Sequence, residues 1–126
     1  MRVLVLGGYG LIGSAVVLDA VINCAGALQD GGGDDLDAVH HTGVNALLRA
    51  CEANGVKHFV QISAVGAEAD AVTAFMRTKA AGDACVRASA LNWSILKPGL
   101  VIAPQAWGGT ALLRGLAGLP GLIPIM

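Results

Sequence analysis

The sequence predicts an α/β fold, a parallel sheet with helices on both faces, and three observations carry that prediction. Short apolar runs alternate with longer stretches of helical spacing along the chain. Four glycines, Gly7, Gly8, Gly10 and Gly13, crowd one turn between an apolar strand and an apolar helix start. Hydrophobic residues make up 55% of 126 residues and charged residues 13%, which suits a core-rich single domain over 1–126. No repeat or low-complexity segment competes with this pattern.

Arg2 to Leu6 reads as a short buried strand. A helix opens at Leu11, so its unpaired N–H groups and partial positive charge meet the glycine turn. Strand, glycine turn and helix start in that order build a phosphate site. A secretory signal is the rival reading of the same stretch. Four glycines inside the apolar core and Asn23 near the cleavage position argue against it.

Leu18 to Cys24 reads as a second strand, followed by a polar, glycine-rich loop from Ala27 to Gly33. Asp34 or Asp35 caps a helix over about Leu36 to Ala53, with Leu36, Val39, Gly43, Leu47 and Ala50 at helical spacing and Gly55 as its stop. Val56 to Ser63 is a third strand, Val72 to Ala88 a helix, and Asn92 to Lys97 a fourth strand broken by Pro98-Gly99. Thr110 to Ala117 reads as a tail helix ended by Pro120 and Pro124.

Composition excludes several function classes. Net charge is −1 with no basic run, so there is no electrostatic footprint for nucleic acid. No apolar stretch is long enough for a transmembrane helix. Cys24, Cys51 and Cys85 are scattered and make no C-x-x-C, which reads as a reducing, cytoplasmic setting with neither a disulfide framework nor a zinc site. His40 and His41 point about 100° apart on a helix, so they make no metal site.

Five segments in order resemble the atypical and extended short-chain dehydrogenase/reductase families. They are Gly7-x-x-Gly10-x-x-Gly13, Asn23-Cys24-Ala25-Gly26, the helix containing Gly43, Ser63 followed by Lys79, and the run from Lys97 to Pro104. The nearest likeness is to bacterial NAD(P)H-binding, epimerase/dehydratase-like proteins and the complex I accessory-subunit branch. The resemblance implies a Rossmann-like, doubly wound parallel sheet and NAD or NADP as cofactor. It places Gly7, Gly8, Tyr9, Gly10, Leu11, Ile12 and Gly13 at the phosphates and Asn23, Cys24, Ala25 and Gly26 along the adenine and ribose. Ser63, Lys79, Pro98, Gly99 and Val101 then lie beside the nicotinamide end.

In that family a serine polarises a substrate carbonyl, a tyrosine exchanges the proton, and a lysine lowers the tyrosine pKa and holds ribose hydroxyls. Here Phe75 stands at the tyrosine position. It packs but exchanges no proton. His40, where many members carry asparagine, is the alternative acid/base, since histidine titrates near neutrality. Each residue also has a plainer reading: Lys79 as a solvated helix lysine, Ser63 as a turn cap, His40 as a boundary residue. The function implied is an oxidoreductase or epimerase on a small carbonyl or hydroxyl substrate. The alternative is a non-catalytic NAD(P)H-binding module, as a homodimer or within a larger complex.

One feature departs from the pattern. The strand from Arg2 spans about 17 Å at about 3.3 Å per residue, whereas Leu11 to Val17 returns about 10 Å at about 1.5 Å per residue. A block holding the second and third strands is therefore expected to be absent near Val17/Leu18. A C-terminal substrate part is expected to be missing as well.

Overall fold

The computed structural model describes residues 1–6, 19–99 and 115–116. Four strands form one sheet in the order β1 (Val3–Leu6), β2 (Ala20–Asn23), β3 (His58–Ile62) and β4 (Asn92–Leu96). Every neighbouring pair is parallel. The α/β Rossmann-like class expected from the sequence is the one found. The register runs Leu6 beside Asn23, Asn23 beside Gln61, and Gln61 beside Ile95, so the carboxyl ends of the strands stand level. That levelling brings the following turns together at one edge of the sheet.

The helical segments are α1 (Gly43–Ala53), preceded by a π-helical turn (Ala38–Thr42), and α2 (Ala74–Ala88). Asp35, rather than Asp34, caps the first segment, its Oδ1 accepting from the Ala38 N–H at 2.9 Å. Thr73 caps α2, accepting from the Met76 N–H at 3.2 Å. At the end of α1, Val56 N–H donates to Cys51 C=O and Gly55 N–H to Glu52 C=O, which satisfies the last carbonyls. Successive right-handed crossovers from β2 to β3 to β4 put both helices on one face of the sheet. There Val21 and Phe59 of the strands pack with Val44, Leu48 and Cys51 of α1 and Val86 of α2.

On the opposite face, Val3, Val5 and Leu96 are 40%, 58% and 52% exposed. The helices expected to cover that face, from Leu11 and from Thr110, fall outside the described residues apart from 115–116, which are helical. Val17 and Leu18, where a block was expected to be absent, also lie outside them.

The helix over 36–53 forms as expected, but its buried face is displaced. The sequence spacing points Val39, Gly43, Leu47 and Ala50 inward together with Leu36. The residues that bury are Leu36, His40, Val44, Leu48 and Cys51, each after Leu36 one position later. The π-helical turn is the physical reason, because it holds one more residue per turn than an α-turn and carries the face forward by that residue. Gly43 closes the turn, its N–H bonded to Ala38 C=O. A Cβ on Gly43 would stand 2.6 Å from that same oxygen, so the turn closes on glycine.

Candidate functional site

Among the described residues six polar side chains are buried at or beside the level carboxyl ends of the strands: Asn23, His40, Gln61, Ser63, Lys79 and Asp83. Buried polar groups are stable only when paired, so their bonds define the site. Asn23, the last residue of β2, donates through Nδ2 to Gln61 Oε1 at 2.9 Å, and its Oδ1 accepts from the Ala25 N–H at 3.1 Å. Asn23 thereby ties β2 to Gln61 of β3 with one end of its amide and holds the turn Cys24-Ala25-Gly26 with the other. Cys24 and Gly26 are exposed on that turn.

Lys79 approaches the same turn from α2. It is 6% exposed, so it is not the solvated helix lysine of the plainer reading. Its Nζ donates to Ile62 C=O at 3.2 Å and Ala25 C=O at 3.4 Å, bridging the ends of β3 and β2. An ammonium has three donors, and these two carbonyls leave one. Burial pulls the Lys79 pKa below the usual lysine value, while the negative charge of Asp83 pushes it back up.

His40 is 1% exposed, which removes the boundary reading. Its Nε2 accepts from the Ala27 N–H at 3.0 Å, and its Nδ1 lies 3.0 Å from Thr78 Oγ1. Thr78 gives its own proton to Phe75 C=O at 3.1 Å, so Thr78 accepts from His40 and the ring is the neutral Nδ1–H tautomer. Burial, with Lys79 nearby, lowers the His40 pKa to about 4. Both nitrogens are committed to fastening the Ala25–Ala27 turn to α2, an arrangement that suits a clamp and not a proton carrier. Phe75 packs edge-on against this imidazole, ring centroids 5.2 Å apart and planes at 87°.

A sign follows for stability. The unfolded His40 takes a proton near its ordinary 6.5, whereas the folded one does so only near 4. Stability is therefore lost as pH falls from about 6.5 to about 4. The expected His40 contribution is about 2 kcal/mol over that window, the full linkage being reduced by the exposed turn beside the ring. Urea unfolding of wild type and His40→Asn at pH 7 and pH 4 isolates it, because the carboxylates common to both cancel. Equal pH slopes in the two proteins would contradict the assignment.

Ser63 is 5% exposed and follows β3. Its N–H donates to Leu96 C=O at 2.8 Å, and its Oγ donates to Asp83 Oδ2 at 2.8 Å, so it does not cap the following turn. Lys97 Nζ lies 3.8 Å from the same Asp83 oxygen, donates to Ala67 C=O at 3.0 Å and stands 3.7 Å from Glu68 Oε1. Pro98 and Gly99 follow β4 and are exposed. Gly7, Gly8, Tyr9, Gly10, Leu11, Ile12, Gly13 and Val101 lie outside the described residues.

Beside the Asn23 turn opens a cleft of about 280 Å³ lined by Leu6, Asn23, Ala25, Val39, Gly43 and Leu47, among others. The stripe that the sequence points toward the core, Val39, Gly43 and Leu47, is a wall of this cleft. Its walls are largely apolar with one amide, the make-up of a small-molecule site. Its volume sits just below the usual range of about 300–1,000 Å³, room for one ring system and not for a whole dinucleotide.

Asp83 and Thr78 carry structure that the sequence reading did not single out. Asp83 lies four residues after Lys79 and so on the same helix face. A lone acid among Ala80, Ala81, Gly82, Ala84 and Cys85 was the available signal. Among the described residues no group of histidine, cysteine and acidic side chains has the geometry to hold a metal.

Residues 14–115 match the sequence profile of a family described as NAD(P)H-binding. Among solved structures, one described as an NAD-dependent epimerase/dehydratase from Bacillus halodurans superposes with a TM-score of 0.55 at 24% identity, covering 65% of this chain and 41% of that one. The Bordetella bronchiseptica enzyme WbmG, solved in complex with NAD, superposes with a TM-score of 0.54 at 22% identity, covering 64% of this chain and 31% of that one. These two likenesses establish the fold, and the chain spans less than half the length of either structure. No match was found among curated protein sequences. The profile match covers most of the chain and agrees with the parallel sheet and the polar turn at its carboxyl edge, and the chain belongs to the NAD(P)H-binding family, with NAD or NADP as its cofactor.

Proposed function

We propose that the chain is the dinucleotide-binding part of a short-chain-dehydrogenase-like oxidoreductase or epimerase whose small substrate carries a carbonyl or hydroxyl group. The observation that supports this most is Lys79: a buried ammonium held between the ends of β2 and β3 with one donor left over. That donor suits a ribose hydroxyl. The apolar cleft beside Asn23 suits a planar base, and the glycine-rich stretch from Gly7 to Gly13 suits the phosphates. A bound nicotinamide supplies hydride chemistry. The protein's own part is to orient the ribose through Lys79 and to hold the base against Val39, Gly43 and Leu47.

A second reading is a non-catalytic module that keeps the nucleotide as a structural or sensing ligand. Phe75 and His40 favour it, because the first has no hydroxyl and the second has both nitrogens engaged.

Phe75→Tyr separates the two. NADH and NADPH oxidation is followed with a broad panel of small aldehydes and ketones, for wild type and variant. Turnover by the wild type is expected, and the phenol is expected to raise it about tenfold or more, at the low end for a positioned proton donor. A panel on which neither protein turns over leaves the module reading in place of the enzyme reading.

A further inference from the structure

Asp83 is the one acidic side chain buried among the described residues, and the function proposed above makes no use of it. It lies on α2 one helical turn after Lys79 and on the same face of the helix. The two side chains hold consecutive residues at the end of β3. Lys79 Nζ donates to Ile62 C=O at 3.2 Å, and Asp83 Oδ2 accepts from Ser63 Oγ at 2.8 Å. Asp83 Oδ1 has no hydrogen-bond partner among the described residues. The two carbonyls around the Lys79 ammonium solvate it but cancel no charge, and a buried charge is costly without a counter-charge nearby. The other groups facing Lys79 supply none. His40, from the π-helical turn, is neutral with a pKa of about 4, Gln61 and Ile62 of β3 carry no charge, and Cys24 on the turn after β2 is an exposed thiol. From the end of β4, the Lys97 ammonium reaches Asp83 Oδ2 at 3.8 Å but is shared with Glu68 Oε1 at 3.7 Å. Asp83 accordingly opposes the downward pull of burial on Lys79.

We propose that Asp83 is a positioning residue whose charge holds the Lys79 ammonium at the strand ends, so that nucleotide binding depends on a carboxylate the nucleotide does not touch. The proposal rests on the dinucleotide-binding reading above and adds to it the residue that keeps its central cation in place. The plainer role for Asp83 is a tie between α2 and β3. Asp83→Asn separates the two roles, because its amide oxygen still accepts from Ser63 and only the charge is lost.

The chain has three lysines, Lys57, Lys79 and Lys97, so NMR of lysine isotopically labelled at Cε follows the titration of each, with Lys79→Met as the assignment. Asp83→Asn is expected to lower the Lys79 midpoint by about one pH unit, at the low end for loss of a nearby opposite charge. The pH at which NADH binding weakens is expected to fall with it. Cys24 and His40 are common to wild type and variant, so their own titrations cancel. Should Asp83→Asn fail to fold, Lys97→Met decides. That variant removes the ammonium competing for Asp83, and the Lys79 midpoint is then expected to rise by about half a unit. An unmoved Lys79 midpoint in the deciding variant overturns the proposal, as does a moved midpoint with an unmoved NADH profile. Failure of the wild type to bind NADH at any pH overturns the dinucleotide reading as well, so the two failures are distinguishable.

Discussion

Gly82→Ala is expected to destabilise the protein by about 3 kcal/mol or more, at the upper end for overpacking a tight contact. Gly82 lies on α2 where that helix crosses the π-helical turn. A Cβ there would collide with His40 C=O and stand 3.6 Å from Val44 Cγ2. The carbonyl is backbone, so relief requires the two helical segments to separate. Separation in turn loosens Val86 and Val44 in the core and the bonds that His40 makes to Ala27 and Thr78. Gly26→Ala is the control. Its nearest heavy atoms would be Lys79 Nζ at 3.4 Å and His40 Nε2 at 3.5 Å, ordinary contacts, and it is expected to cost under about 1 kcal/mol. Urea midpoints of the two variants measure the difference, and a Gly82→Ala midpoint equal to that of Gly26→Ala would show that α2 does not approach the turn this closely.

Lys79→Met is expected to weaken NADH binding by about thirtyfold, the range for hydrogen bonds made by a charged donor. Methionine keeps most of the apolar length of the side chain, so packing between α2 and the strand ends survives while the ammonium is lost. The substitution also frees Ile62 C=O and Ala25 C=O, which the ammonium holds at 3.2 and 3.4 Å. Its effect on folding is smaller than on binding, because burial of an ammonium already opposes its charge, as the lowered Lys79 pKa indicates. An affinity loss of less than threefold, with the fold intact by circular dichroism, would place the ribose elsewhere.

The strands and helices were legible because apolar runs and helical spacing mark where each element forms, and the caps at Asp35, Thr73 and Gly55 sit where capping chemistry puts them. The turn Asn23 to Gly26 and Lys79 were legible through the order of motifs, and the structure brings them within hydrogen-bond reach of one another. What the sequence could not show arises from contacts between distant elements. The π-helical turn inserts one residue and moves His40 into the core and Val39 to the cleft, and no periodicity rule registers a single added residue. The role of His40 depends on Ala27 and Thr78, 13 and 38 positions away. Asp83 belongs to none of the motifs, and its partners Ser63 and Lys97 come from the ends of two other elements.

The claim that the carboxyl edge of this sheet is a dinucleotide site is tested most directly by titrating the wild-type protein with NADH and with NADPH and following nucleotide fluorescence. Saturable binding of at least one, displaced by ADP-ribose and weakened in Lys79→Met, is the predicted result. No binding of either nucleotide by the folded protein would contradict it.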